Sequence, residues 1–170
     1  MRPFILLALA TAGAPAAMAQ NAAVNTARDL WKDLTAYITT AAEELTPAQY
    51  DYRPTAKVRS FGQLVGHVAG AQNLICAAAL GDAPRAEDEY EKPGVTKAQL
   101  VAALKASTEY CAKAYSQTDA AAQQPTKLFG QDRTRLYALV LNATHNGEHY
   151  GNIITYMRMQ GLVPPSSRGQ

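Results

Sequence analysis

The sequence predicts an all-α fold, a bundle of four helices around one core. Three observations carry that expectation. Four stretches place apolar residues at spacings of three and four, the repeat of a helix with one buried face. Two of these stretches open on capping boxes, Ser60-Phe61-Gly62-Gln63 and Thr96-Lys97-Ala98-Gln99. In such a box a hydroxyl oxygen accepts a free backbone N–H and the residue at the third position reaches back. No β pattern of any length and no internal repeat interrupts the helical stretches. Four amphipathic helices bury their stripes most simply against one another.

The first residues read as a leader outside that fold. Arg2 gives a positive start, Phe4 to Ala10 an apolar core, and Ala17-Met18-Ala19 the small residues of a cleavage site before Gln20. The apolar run is too short to span a bilayer and is broken by Pro15, and no later stretch of eighteen apolar residues exists. The expectation is a signal peptide over 1–19, one helical domain over 22–163 and a flexible tail over 164–170. The mature chain is then located in the periplasm or secreted, with no stable membrane insertion. No cysteine lies near the cleavage site, which argues against a lipoprotein. About 150 residues suffice for one domain with a sizeable core. The formal net charge of +2 falls to +1 when Arg2 leaves with the leader (2 − 1 = 1). No basic run or Lys/Arg stripe is present, so nucleic acid is not an expected partner.

The first helix is predicted over 24–45. Val24, Ala27, Leu30, Trp31, Leu34, Ile38, Ala41 and Leu45 form its stripe, with Trp31 in the core. Pro47 and Pro54 break the pattern over 46–59, where a short helical turn can begin at Thr46 or Pro47. The second helix starts after Ser60 and stops at Gly81. Gly62, Gly66 and Gly70 are costly inside it, so close packing or access must explain them. Gly66 and Gly70 flank His67 and are expected to leave space beside its ring. Residues 81–95 are charged and broken by Pro84 and Pro93. The acids there read as a solvated loop, because the ordered ligand spacing of a calcium loop is missing. The loop is long for a bundle connection and permits a crossover from one end to the other.

The third helix runs from the Thr96 cap to about Ser116. Residues 117–131 read as a linker with an apolar tuck at Leu128-Phe129-Gly130. The fourth helix is predicted over 132–160, with Leu136, Leu139, Val140, Ala143, Ile153, Ile154 and Met157 as its packing residues. Gly161 ends it, and Pro164-Pro165 and the tail follow as coil. Cys76 and Cys111 lie at similar depths in the second and third helices. If those helices are parallel, the thiols stand at one height and can bond. If the helices form a hairpin, the thiols are too far apart. An oxidising compartment allows the disulfide, and two buried free thiols are the alternative.

The fourth helix carries His145-Asn146-Gly147-Glu148-His149. Residues four apart share a helix face, so both imidazoles can point at one object. His67 is the third histidine of the chain, on the second helix. Three histidines from two helices make a facial ligand set that leaves positions for water or substrate. Zinc or nickel suits such a site, and iron also fits imidazole. The string also has the form H-x-x-E-H of inverted zinc peptidases. That chemistry wants an acid downstream as third ligand, and none follows Glu148. Asn142, Asn152 and Tyr156 extend the face of the histidine pair at spacings of three and four. Tyr156, Asn142 and Glu148 are therefore the candidate catalytic side chains, each also readable as an ordinary interhelical contact.

The string from Arg59-Ser60-Phe61 to His67, the string from Asn142-Ala143-Thr144-His145 to Tyr156-Met157-Arg158, and the ending Gly161-Leu162-Val163-Pro164-Pro165-Ser166 resemble the DinB-like (DinB/YfiT) family. The resemblance covers almost all of the mature chain. It implies an up-down-down-up four-helix bundle with a long crossover between the second and third helices. It also implies a divalent metal on His67, His145 and His149, at which all three ligand positions match. Characterised members of the family include transferases that use low-molecular-weight thiols such as bacillithiol or mycothiol, and a metal-dependent isomerase. The leader departs from those cytoplasmic cosubstrates. Two classes of function follow. One is a metal-dependent enzyme, a small hydrolase or thiol-dependent transferase acting on a small molecule. The other is a non-catalytic exported metal-binding or stress protein. The resemblance also allows a homodimer through helix faces.

Overall fold

The computed structural model describes residues 21–169, so the leader expected over 1–19 lies outside the described residues. The element order is α1 (Ala22–Glu44), α2 (Pro47–Tyr50), α3 (Phe61–Leu80), α4 (Lys97–Ala114), α5 (Asp119–Ala122), β1 (Pro125–Leu128), β2 (Gln131–Thr134) and α6 (Arg135–Met159). The long helices α1, α3, α4 and α6 form the expected bundle. No described helix is long and apolar enough to cross a membrane.

The helix starts are set by local chemistry. Ser60 and Thr96 accept the backbone N–H of Gln63 and Gln99, and each glutamine returns the bond to the cap N–H. Thr46 and Gln49 close a third capping box at the single turn of α2. α3 stops at Gly81, whose φ of 77° is a left-handed cap that glycine adopts without a Cβ penalty.

Paired contacts fix the topology. Along α3 and α4, Gln72 bonds Ser107, Cys76 bonds Cys111, and Ala79 O accepts from Gln117 just beyond α4. Both numbers rise together, so α3 and α4 are parallel. Between α3 and α6 they run oppositely: the Arg59 carbonyl, just ahead of α3, accepts from Tyr156, whereas Gln72 accepts from Asn146. Along α1 and α6, Thr35 meets Asn146 and Tyr37 stacks on Tyr150, a parallel pair. The bundle is therefore up-down-down-up, and 81–95 is the crossover. Cys76 and Cys111 form a disulfide with Cα atoms 5.3 Å apart.

Four expectations are corrected. First, the 117–131 linker contains the short helix α5, and a β-hairpin follows. In it β1 and β2 pair antiparallel, Pro125 opposite Thr134 and Leu128 opposite Gln131. Phe129 and Gly130 make the turn with φ of 50° and 75°, the double positive φ that matches strand twist. Second, the hairpin claims Asp132 to Thr134, so the fourth helix begins at Arg135 behind a Thr134 cap instead of at Asp132. Third, the tail is tied down over the residues described. Pro165–Ser167 is a 3-10 turn, Tyr150 Oη donates to Ser166, and Arg168 is paired with Glu44. Fourth, Leu30 and Val140 belong to exposed faces (55% and 46%) and not to the core.

Two apolar clusters fill the bundle. One gathers Ile38, Phe61, Val65, Leu104, Ile153 and Tyr156. The other gathers Trp31, Ile75, Cys76, Cys111, Tyr115 and Leu139. A buried polar layer lies between them. Gln72 Oε1 accepts from Trp31 Nε1 at 2.8 Å and from Asn146 Nδ2 at 3.3 Å, and Gln72 Nε2 donates to Ser107 Oγ at 3.0 Å. Asn146 Nδ2 also reaches Thr35 Oγ1.

Candidate metal centre

His67 lies two turns into α3, and His145 and His149 lie one turn apart on α6. The antiparallel packing of these helices brings the three rings to one level. His145 Nε2 is 3.3 Å from His67 Nε2 and 3.0 Å from His149 Nε2. The rings are tilted against one another by 52° to 84°, so that edges rather than faces converge. One ring nitrogen from each histidine lies within 4.8 Å of the others, which makes the group able to hold a metal ion. The spacing fits: ligands about 2.1 Å from an ion and roughly at right or tetrahedral angles sit about 3.0–3.4 Å apart.

Apart from one another, the converging Nε2 atoms of His145 and His149 have no partner among the described residues. His67 and His149 are buried, and the Nδ1 atoms of His145 and His149 are buried without a partner. Burial, ahead of the neighbouring His67, pushes the His145 imidazole down to about 4. Burial, then His145 and His67, pushes His149 down to about 3. Both rings are thus neutral near pH 7, the form in which a ring nitrogen can bind metal.

A carboxylate aligns the third ring. His67 Nδ1 is 2.8 Å from Glu91 Oε1. An Nδ1–H donated to Glu91 turns the Nε2 lone pair towards the other two rings, the arrangement common around histidine ligands. Arg59 clasps the same carboxylate with two bonds, Nε to Oε2 at 2.7 Å and Nη2 to Oε1 at 3.2 Å. Burial works to raise the Glu91 carboxyl, but the bonds from Arg59 and His67 outweigh it and hold the group below its ordinary value.

Glu91 comes from the crossover, and the glycines of α3 explain how it arrives. A Cβ on Gly70 would fall 1.7 Å from the Glu87 carbonyl oxygen, and one on Gly66 would fall 2.5 Å from that of Tyr90. The space beside His67 is therefore filled by the backbone of the crossover, not left open. The acids of that loop are likewise not all solvated: Glu91 is bonded to His67, and Glu87 stands 3.8 Å from the same ring. Sequence reasoning missed Glu91. A signal was present, glycines at spacings of four around a ligand histidine, followed by a long acidic connection.

A cleft of about 570 Å³ adjoins the centre, lined by Lys57, Arg59, Glu91, Glu148, His149 and Tyr156 among others. Of the catalytic candidates, Tyr156 and Glu148 are placed in this cleft and Asn142 is not. Tyr156 donates to the Arg59 carbonyl at 2.8 Å, and burial raises its hydroxyl above the ordinary tyrosine value. Glu148 is exposed on the rim. Asn152, also lining the cleft, donates to the Glu148 carbonyl. Asn142 is fully buried below the histidines, where its Nδ2 donates to Tyr115 Oη at 3.2 Å.

The comparisons with known proteins agree with this fold. The family model of the DinB superfamily matches residues 29–153. The chain is similar to the crystal structure of a DinB-like protein from Bacillus cereus, with a TM-score of 0.70, 17% identity and coverage of 82% of this chain and 93% of that one. It is also similar to a DinB-like protein from Bacillus subtilis, with a TM-score of 0.65, 21% identity and coverage of 88% of this chain and 100% of that one. No curated protein sequence matches the chain. The match of 125 of 170 residues (153 − 29 + 1 = 125) is more than half, and the chain belongs to the DinB superfamily.

Proposed function

We propose that this member of the DinB superfamily holds one divalent ion, zinc or nickel, on His67, His145 and His149 and acts as a metal-dependent enzyme on a small polar molecule. The observation that carries the reading is the convergence of three histidine ring nitrogens beside a polar cleft. Among the described residues, only these three side chains form such a ligand group, which favours an open coordination position over a closed structural site. Iron is the third candidate metal.

A divalent ion bound there supplies Lewis acidity and lowers the pKa of whatever joins it. The chain's own residues do the rest. Glu91 keeps the Nδ1 proton on His67 and so holds the Nε2 lone pair inward. Arg59 keeps Glu91 ionised and in place. Tyr156 is a donor and not a base near neutral pH, because its hydroxyl is raised. It is set to move its hydrogen bond from the Arg59 carbonyl to an incoming oxygen. Glu148 on the rim can accept a proton from a ligand in the cleft. Asn142 is assigned no such step, since it bonds Tyr115 inside the core.

Hydrolysis is the reaction class favoured here, ahead of thiol-dependent transfer. The leader-like start and the Cys76–Cys111 disulfide both support an exported chain in an oxidising compartment. Low-molecular-weight thiols kept reduced in the cytoplasm would be scarce there. Cell fractionation followed by intact mass measurement tests the export reading, with a periplasmic or secreted chain beginning at Gln20 as the expected species.

The test of the centre is metal analysis of the wild type beside His67→Ala and His149→Ala, followed by azide titration of the cobalt-substituted protein. About one equivalent of metal, lost in both variants, and a visible spectrum that changes with azide are expected. Metal that binds but ignores azide would favour a non-catalytic, closed metal holder. A wild type that takes up no metal, even after reconstitution, would overturn the metal reading.

A further inference from the structure

The opposite end of the bundle holds a second cavity, of about 620 Å³, between the end of α3 and the β-hairpin. That volume is in the range of small-molecule sites. It lies about 15 Å from the histidines along the helix axes, since Arg135 at its wall is ten residues before His145. Its walls are largely apolar: Leu74, Ala78, Pro84, Leu128 and Phe129.

One charge in this cavity is not engaged. The Nε atom of Arg135 is buried and has no acceptor, and no described carboxylate pairs with its guanidinium. The guanidinium lies against Gly81, where a Cβ would meet Nη2 at 2.5 Å. Three of the last four carbonyls of α3 are served by other donors. Ala77 O accepts from Asp82 N, Ala78 O from Gly81 N and Thr126 Oγ1, and Ala79 O from Gln117 Nε2. The other charged groups of the wall are engaged: Asp82 accepts from Tyr110 Oη, and Lys127 is paired with Asp132. The Arg135 side chain is half-buried, so an acceptor entering the cavity can take this donor.

The lip of the cavity is also unusual. Phe129 is 59% exposed and sits at φ of 50°, a left-handed backbone that bulky side chains rarely adopt. Asparagine or glycine would hold this turn more readily. An exposed aromatic kept at a strained position beside an apolar cavity points to a role in contact.

We propose that this cavity binds an organic carboxylate with an apolar body. The carboxylate pairs with the Arg135 guanidinium, whose fork of donors matches two oxygens. The apolar body lies along Leu74, Ala78 and Leu128, and the Phe129 ring covers it. This site is independent of the histidine centre.

Calorimetric titration of the disulfide-intact protein with octanoate, octanol and acetate tests the proposal. Octanoate is expected to saturate one site, with octanol and acetate each at least tenfold weaker. Arg135→Gln should weaken octanoate at least tenfold and Arg135→Lys less. Phe129→Asn keeps the turn, because asparagine tolerates the left-handed region, and should weaken octanoate severalfold. Metal content and thermal melting of the variants report whether each remains folded. Octanoate that fails to bind, binds no better than octanol or acetate, or ignores Arg135→Gln would overturn the proposal.

Discussion

Two buried polar layers cross this bundle within about two helical turns of each other. One is made of His67, His145 and His149; the other of Trp31, Thr35, Gln72, Ser107 and Asn146. His145 and Asn146 are adjacent in sequence, yet they serve different layers. In the lower layer the Gln72 side chain has three partners, and of the five residues only Asn146 has a buried atom left unpaired, its Oδ1. In the upper layer two ring nitrogens are unpaired and three others face one another. A layer that closes on itself specifies packing. A layer whose lone pairs converge on a common point, beside a cleft, is built for something the chain does not supply.

The sharpest way to break the comparison is to remove one member from each layer. His149→Ala should lower metal affinity by more than a thousandfold, roughly 4 kcal/mol or more, while the metal-free protein keeps its far-UV circular dichroism. Gln72→Leu should do the reverse. It leaves the Trp31 N–H without an acceptor and the Asn146 amide with Thr35 alone, and should cost about 2–4 kcal/mol in denaturant unfolding, yet retain metal. If both substitutions cost metal equally, the two layers are one unit and the distinction fails.

Glu91 refines the comparison, because it joins the upper layer from outside the bundle. Glu91→Gln should weaken metal binding about 10–100-fold in a competition with a chelator, with little change in the stability of the metal-free form. Gly70→Ala should match that loss with Glu91 intact, since the new Cβ would collide with the Glu87 carbonyl and lift the crossover off α3. A Gly70→Ala protein with unaltered metal affinity would show that the docked crossover is not what places Glu91.

Local chemistry was legible in the sequence and long-range chemistry was not. Capping boxes at Ser60 and Thr96 and the glycine stop at Gly81 depend on neighbours within a turn or so, and they appear as expected; the helical stripes do so apart from Leu30 and Val140. The hairpin escaped because Pro125–Leu128 and Gln131–Thr134 are short and mostly exposed, with no apolar alternation. Periodicity along α6 gives a direction around the helix and not a depth along it. Asn142 shares a face with His145 and Tyr156, yet lies where Tyr115 and the disulfide fill the bundle. Glu91 was hidden for a different reason: it is 24 residues from His67 and reaches it only because two glycines admit a backbone.

Acid should separate the layers by the smallest but most diagnostic effect. Burial holds His145 near 4 and His149 near 3, against about 6.5 in an unfolded chain. The folded state thus refuses protons that the unfolded state accepts. Stability of the metal-free protein should be flat above about pH 6.5 and fall as pH drops from there through 4 towards 3. Gln72, Asn146, Ser107 and Thr35 do not titrate, so the lower layer contributes no slope. A drop in melting temperature on the order of 5 °C between pH 7 and 5 is the expected scale for a chain of this length. The double variant His145→Gln, His149→Gln should lose most of that slope. If it keeps the whole slope, the acid response arises in the carboxylates elsewhere in the molecule and not in the histidine layer.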